Sequence, residues 1–182
     1  MANENFQYLF RCISYLFAYP SAEWQEGLED CREFAESVPH KQISARLSEF
    51  VDYLQSRTLD ELRQSYVNTI DFGKKTNLYV TYMQHGEQRE RSMELVQLKL
   101  KYAKAGFQTT DRELPDYLPL MLEFAGFAPQ NHAVPVLDQY QAAIEEMREQ
   151  FIKQESVYAL LLDVVLLVIE EFTFEHERRA AL

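Results

Sequence analysis

The sequence predicts an all-α protein, a single-domain bundle of about seven or eight helices, and three observations carry that prediction. Apolar residues recur at the 3.6-residue period of a helix through most of the chain. Only five Gly and six Pro interrupt the 182 residues, and most of them fall between the periodic segments. Strand-type alternation bounded by turn residues is hard to find. A hydrophobic content of 47% is enough for a core of this size, so one domain is expected over residues 1–175, followed by a frayed tail at 176–182.

The elements follow in order. A first helix runs from about Asn5 to Tyr19, with Phe6, Leu9, Phe10, Ile13, Leu16 and Phe17 on one stripe, and Pro20 stops it. Ser21 caps a second, which carries Trp24, Leu28, Cys31 and Ala35 at helical spacing until Val38-Pro39. A third turns Ile43, Leu47, Phe50, Val51 and Leu54 inward. Thr58 and Glu61 form a capping box that opens a fourth, with Leu59, Leu62, Tyr66 and Ile70 as its apolar positions. From Asp71 to Gly86 the pattern loosens into a loop and a short helix with aromatics at Phe72, Tyr79 and Tyr82. A long helix from about Glu87 to Ala105 ends at Gly106, which suits the left-handed terminator position. Pro115 is expected in the first turn of the next, where its missing N–H costs nothing, with Leu114, Tyr117, Leu118, Met121, Leu122 and Ala125 on one face. Residues 128–134, around His132, read as a loop. Pro135 then opens a helix with Leu137, Tyr140, Ile144, Met147 and Phe151 in a near-heptad stripe. The last helix, Ser156 to about Phe174, is apolar almost all round and must be surrounded by others.

The formal net charge of −11 argues against nucleic acid and anionic membrane surfaces, because both are bound by Lys and Arg clusters. It suits a basic partner, or solubility alone. The longest apolar stretch, Val157 to Ile169, contains Asp163 and falls short of the roughly 20 residues a membrane span needs. The start MANENFQYLF has no basic region followed by an apolar one, so no signal peptide is expected. Cys12 and Cys31 have no CxxC spacing, so neither a disulfide framework nor a zinc site is expected, and a cytoplasmic location follows.

Catalytic constellations are missing. Asp71-Phe72-Gly73 matches a kinase triplet in letters but lacks a Gly-rich loop, a VAIK lysine and an HRD motif. Gly73-Lys74-Lys75 fails as a phosphate loop. His40, His85, His132 and His176 are scattered, and adjacent carboxylates such as Glu145-Glu146 point to different sides of a helix. The chain is therefore expected not to be an enzyme.

Two dense segments exceed the needs of helix packing. One spans residues 65–102 and holds Tyr66, Asp71-Phe72, Leu78-Tyr79-x-Thr81-Tyr82 and His85-Gly86-Glu87-x-Arg89-x-Arg91. The other is Glu113-Leu114-Pro115-Asp116-Tyr117-Leu118-Pro119, followed by Leu122-Glu123-Phe124. With Leu16-Phe17-Ala18-Tyr19-Pro20 and Glu155-Ser156-x-Tyr158-Ala159, they resemble the NarJ family. That family comprises nitrate reductase delta subunits, or molybdenum cofactor assembly chaperones, related to the TorD and DmsD group of redox-enzyme maturation chaperones. Departures are mild: Glu87 stands where the family often has Asp, and Ser92 where it often has Gly.

The resemblance implies a TorD-like helical fold and a system-specific chaperone. Its client would be the apo catalytic (alpha) subunit of a membrane-bound respiratory nitrate reductase, held by its N-terminal segment while molybdenum cofactor and iron–sulfur clusters are inserted before membrane docking. No cofactor would be bound permanently, since the molybdenum cofactor goes to the client, and the proteins that make that cofactor are implied as further partners. The candidate client-binding residues are Tyr66, Asp71, Arg91, Glu113, Pro115, Asp116, Tyr117 and Glu123. Each has a plainer reading: Pro115 and Asp116 start a helix, Tyr66 and Tyr117 are core, and Arg91 pairs with a nearby glutamate. A structural helical adaptor that stays in a redox complex is the alternative, and it would copurify with the mature enzyme.

Overall fold

Helix α1 (Asn3–Leu16) buries Phe6, Leu9, Phe10, Ile13 and Leu16 on the stripe that the periodicity marks, and Phe17 just beyond its end is buried too. The structure, a computed structural model, describes residues 3–73, 75–85, 89–110 and 112–180. Among these are ten α-helices, one π-helical turn, and a single isolated bridge between Tyr79 and Tyr117 in place of any sheet.

Ser21 caps α2 (Ala22–Glu26) by accepting from the Trp24 N–H at 3.1 Å, but the helix expected to run on to Val38 breaks at Gly27 into α2 and α3 (Leu28–Ser37). Tyr15 causes the break. Its hydroxyl donates to the Trp24 carbonyl at 2.7 Å while the Trp24 indole donates back to the Tyr15 carbonyl at 2.9 Å. The ring then lies against Gly27, where a Cβ would stand 2.3 Å from the phenol oxygen. Helix α4 (Lys41–Gln55) buries its five expected positions, and the Thr58–Glu61 capping box that opens α5 (Leu59–Tyr66) is fully formed.

Helices α6 (Val80–His85) and α7 (Arg89–Lys104) follow the loop after residue 71. Residues 86–88, which hold Gly86 and the expected start of α7 at Glu87, lie outside the described residues. Gly106 has φ +87°. The Phe107 N–H bonds to the Tyr102 carbonyl and the Gly106 N–H to the Ala103 carbonyl, both at 3.0 Å, which is the Schellman ending expected there.

Two boundaries differ from the sequence expectation. Helix α8 (Leu118–Phe127) starts after Tyr117, so Pro119 and not Pro115 occupies its first turn, and Leu114 is exposed outside it. Helix α9 (Gln130–Lys153) begins straight after Pro129, so His132 is helical and Ala133 and Val134 are buried. Pro135 sits inside α9 on its exposed side, where a helix tolerates a missing bond because water satisfies the carbonyl. Helix α10 (Tyr158–Ala180) extends past the boundary expected at residue 175.

The core is layered around α10, which packs on α9, α4 and α1, while α1 lies along α8 and α3 along α4. Its polar interruption, Asp163, is satisfied by Arg46 at 3.2 Å and by Arg148. No helix among the described residues is long and apolar enough to cross a membrane.

Candidate functional site: an aromatic cleft with an acidic rim

Helix α5 does not stop at Tyr66 but widens into the π-helical turn Val67–Asp71, with the Phe72 N–H reaching back to the Val67 carbonyl at 3.0 Å. The wider turn lets Tyr66 and Ile70 face inward while Asp71 and Phe72 emerge into solvent. The chain then turns at Gly73, where a Cβ would stand 2.1 Å from the Thr69 carbonyl oxygen, so no larger residue fits. Thr76 ties the loop back to the same carbonyl through its hydroxyl.

Leu78 to Val80 next lies antiparallel to Asp116 to Leu118. The Val80 N–H donates to the Asp116 carbonyl at 2.9 Å and the Leu118 N–H to the Leu78 carbonyl at 2.8 Å. This short pairing brings the two dense sequence segments together. Tyr79 and Tyr117 sit across it with ring centroids 5.3 Å apart, and the Tyr79 hydroxyl donates to Glu113 at 2.8 Å. The Tyr66 and Tyr117 hydroxyl oxygens are 3.4 Å apart, and Tyr19 meets Tyr66 edge-on at 5.4 Å. Burial, as the main cause, raises the pKa of Tyr66, Tyr79 and Tyr117, so all three phenols stay neutral through the physiological range.

These side chains line an open cleft of about 780 Å³ between the end of α1, the π-helical turn, the paired segments and α8. Among the described residues its charged lining groups are Asp71, Glu113 and Glu123 against Arg112, three carboxylates to one guanidinium. A second hollow of about 310 Å³, walled by Tyr102, Phe107, Phe124 and Phe127, shares Thr110, Leu120 and Glu123 with it. The two form one groove along α8. Such a surface, aromatic inside and acidic at the rim, matches an amphipathic helix with a basic face.

The eight sequence candidates divide. Tyr66, Asp71, Glu113, Tyr117 and Glu123 line the cleft. Arg91, Pro115 and Asp116 do not line it, and the reading of Pro115 and Asp116 as a helix start is corrected here. Asp116 is fully buried and lies outside α8, which starts at Leu118. Its Oδ2 accepts from the Thr81 hydroxyl at 2.6 Å, the Thr81 N–H at 3.3 Å and Arg91 at 3.2 Å, which places the carboxylate at the start of α6. Arg91 pairs with this aspartate, donates also to the Thr81 hydroxyl at 3.1 Å, and lies over the Tyr79 and Tyr82 rings. Pro115 is buried, with its carbonyl accepting from the Tyr102 hydroxyl at 2.8 Å. These three form the support on which Tyr79 and Tyr117 stand.

Tyr19, Tyr79 and Arg112 were missing from the sequence candidates. Tyr79 and Tyr19 carried a signal, since they lie in the Leu78-Tyr79-x-Thr81-Tyr82 and Leu16-Phe17-Ala18-Tyr19-Pro20 motifs, whereas Arg112 carried none. Among the described residues no three His, Cys, Asp or Glu side chains converge as metal ligands would.

The family described as nitrate reductase delta subunit matches over residues 39–159. A Bacillus subtilis (strain 168) protein, described as a probable nitrate reductase molybdenum cofactor assembly chaperone NarJ, is 43% identical over 164 residues, covering 90% of this chain and 89% of that one. The Escherichia coli (strain K12) nitrate reductase molybdenum cofactor assembly chaperone NarJ is 33% identical over 157 residues, covering 85% of this chain and 66% of that one. In three dimensions, an Archaeoglobus fulgidus protein provisionally described as a redox enzyme maturation protein superposes with a TM-score of 0.63 at 18% identity, over 91% of this chain and 93% of that one. This last likeness is one of fold.

Proposed function

This chain belongs to the nitrate reductase delta subunit family, and from that premise we propose that it is a dedicated assembly chaperone of a respiratory nitrate reductase. Its client is the apo catalytic subunit, held by a basic amphipathic N-terminal segment while molybdenum cofactor and iron–sulfur clusters are inserted and before the enzyme docks on the membrane. The cofactors are cargo for the client. The cytoplasm is where such a holder would meet a newly made polypeptide.

One observation carries the reading: Tyr66, Asp71, Glu113, Tyr117 and Glu123, drawn from separate parts of the chain, line a single cleft. An apolar client face would lie on the tyrosines and Leu120, and its basic face would meet the three carboxylates. Recognition here needs no chemistry of bond making. A holder must also release, and micromolar affinity, about −8 kcal/mol, is compatible with both holding and release.

Titration calorimetry with a peptide of the client's N-terminal segment tests this. The triple exchange Asp71→Asn, Glu113→Gln, Glu123→Gln should weaken binding about tenfold or more while leaving the melting temperature nearly unchanged, because all three groups are at the surface. Unchanged affinity would move the client off this cleft.

A further inference from the structure

The surface of the groove along α8 does not end at Phe127. That ring is 53% exposed and lines the second hollow, and the guanidinium of Arg11, on α1, stands over it at 5.0 Å from the ring centroid. Tyr8, 55% exposed, meets the same guanidinium at 4.3 Å. The Arg11 Nε donates to the Gln7 carbonyl at 3.4 Å, and among the described residues no carboxylate pairs with it. Its place is built by a helix crossing. At Gly126 a Cβ would stand 2.5 Å from the Arg11 Cγ and 3.1 Å from the Gln7 carbonyl oxygen, so α1 and α8 approach this closely because that residue is glycine. Gln7 fastens the crossing, its side-chain amide donating to the Ala128 carbonyl at 3.3 Å.

Charge therefore changes sign along one continuous surface. Asp71 and Glu113 stand with Arg112 at the cleft end, Glu123 lies between the two hollows, and Arg11 stands past the end of α8. Helix α8 has ten residues, which at 1.5 Å each is about 15 Å, or roughly three turns of a helix laid along it. Beyond Phe127, Arg11 and Tyr8 open into a further groove of about 510 Å³ between α1 and α3, which Asp30 also lines.

We propose that the client helix lies along α8 with its amino end at Asp71 and Glu113 and its carboxyl end over Phe127 at Arg11. This rests on the reading of the cleft as the client site, and it adds a direction and a further contact surface to that reading. A helix carries partial positive charge at its N-terminus, where N–H groups lack a partner within the helix, and partial negative charge at its C-terminus, where carbonyls do. A segment from the start of a polypeptide adds its α-amino charge to the positive end. Carboxylates at one end of the surface and a guanidinium at the other thus favour this direction at both ends at once, whereas the reverse direction sets each end against like charge. Arg11 donates to the last carbonyls of the bound helix, and the exposed rings of Phe127 and Tyr8 take the apolar side chains of its last turn.

A carboxyl-amidated peptide of about 15 residues from the client's N-terminus, carrying a nitroxide at one end or the other, provides the test on the isotope-labelled full chain. With the label at the amino end, paramagnetic broadening is expected at the amides of Asp71, Phe72 and Glu113. With the label at the carboxyl end, it is expected at those of Tyr8, Arg11 and Phe127. Arg11→Glu should weaken binding of the unlabelled peptide about fivefold while the amide spectrum shows an intact fold. An inverted broadening pattern would overturn the proposal, as would broadening confined to the cleft with both labels, or unchanged affinity in Arg11→Glu. In each of those cases the peptide still binds at the cleft and only the direction and the added contact fall. No binding, or broadening on another face of the molecule, would remove the cleft reading as well.

Discussion

Asp116 shows at the scale of one residue how a position singled out in the sequence can lie in the interior. It stands in the dense Glu113 to Pro119 segment, yet its carboxylate is wholly buried against Thr81 and Arg91, 35 and 25 positions earlier in the chain. Nothing local in the sequence states that distance in space. The exchange Asp116→Ala should therefore act on stability first, by about 3–5 kcal/mol, because it strands a mostly buried guanidinium. Urea unfolding would show it. A loss near 0.3–1 kcal/mol, the size of a helix-start charge, would instead return Asp116 to the role expected from the sequence. Tyr117 behaves differently. At 3.4 Å its hydroxyl contact with Tyr66 is long, so Tyr117→Phe should cost less than about 1 kcal/mol of stability and spare client-peptide affinity. Tyr117→Ala removes the ring that faces Tyr79 and should lower that affinity by about tenfold or more in the same calorimetric assay.

Among elements, the ends of helices decide more than their middles. The stripes of α1, α4 and α9 follow the periodicity closely, since burial of an apolar face is encoded in the spacing itself. Breaks are less legible: α2 and α3 part where Tyr15 covers Gly27, a contact made by another helix. The end of α9 shows a local strain. Glu155 adopts φ +51°, in the left-handed region, and the Ser156 N–H closes the turn on the Phe151 carbonyl at 3.0 Å. A side chain there costs about 1 kcal/mol relative to glycine. Glu155→Gly should accordingly raise stability by about 0.5–1 kcal/mol, seen as a rise of roughly 2–4 °C in melting temperature. No change, or a fall, would mean that Glu155 makes a compensating contact that its backbone angle conceals.

For the whole molecule, charge is the property that acts at a distance. With Asp and Glu outnumbering Lys and Arg by 29 to 18, the field of the proposed chaperone would draw in a basic client helix before contact, and the aromatic cleft would then hold it. Raising ionic strength from ~0.05 to ~0.5 M shortens the screening length from roughly 14 to 4 Å, so association should slow while dissociation changes little. Stopped-flow kinetics with the client peptide would reveal it, and an association rate untouched by salt would reduce the acidic surface to a solubility device. The helical class, the inward face of most helices and the capping box were determined by the sequence alone, because each depends on residues a few positions apart. The site was a different matter. Its members come from the end of α1, the π-helical turn, the loop before α6 and the start of α8, and only tertiary structure decided which of them face the cleft and which support it from beneath. Burial is a sum over neighbours distant in sequence, and a single chain read from end to end does not contain that sum.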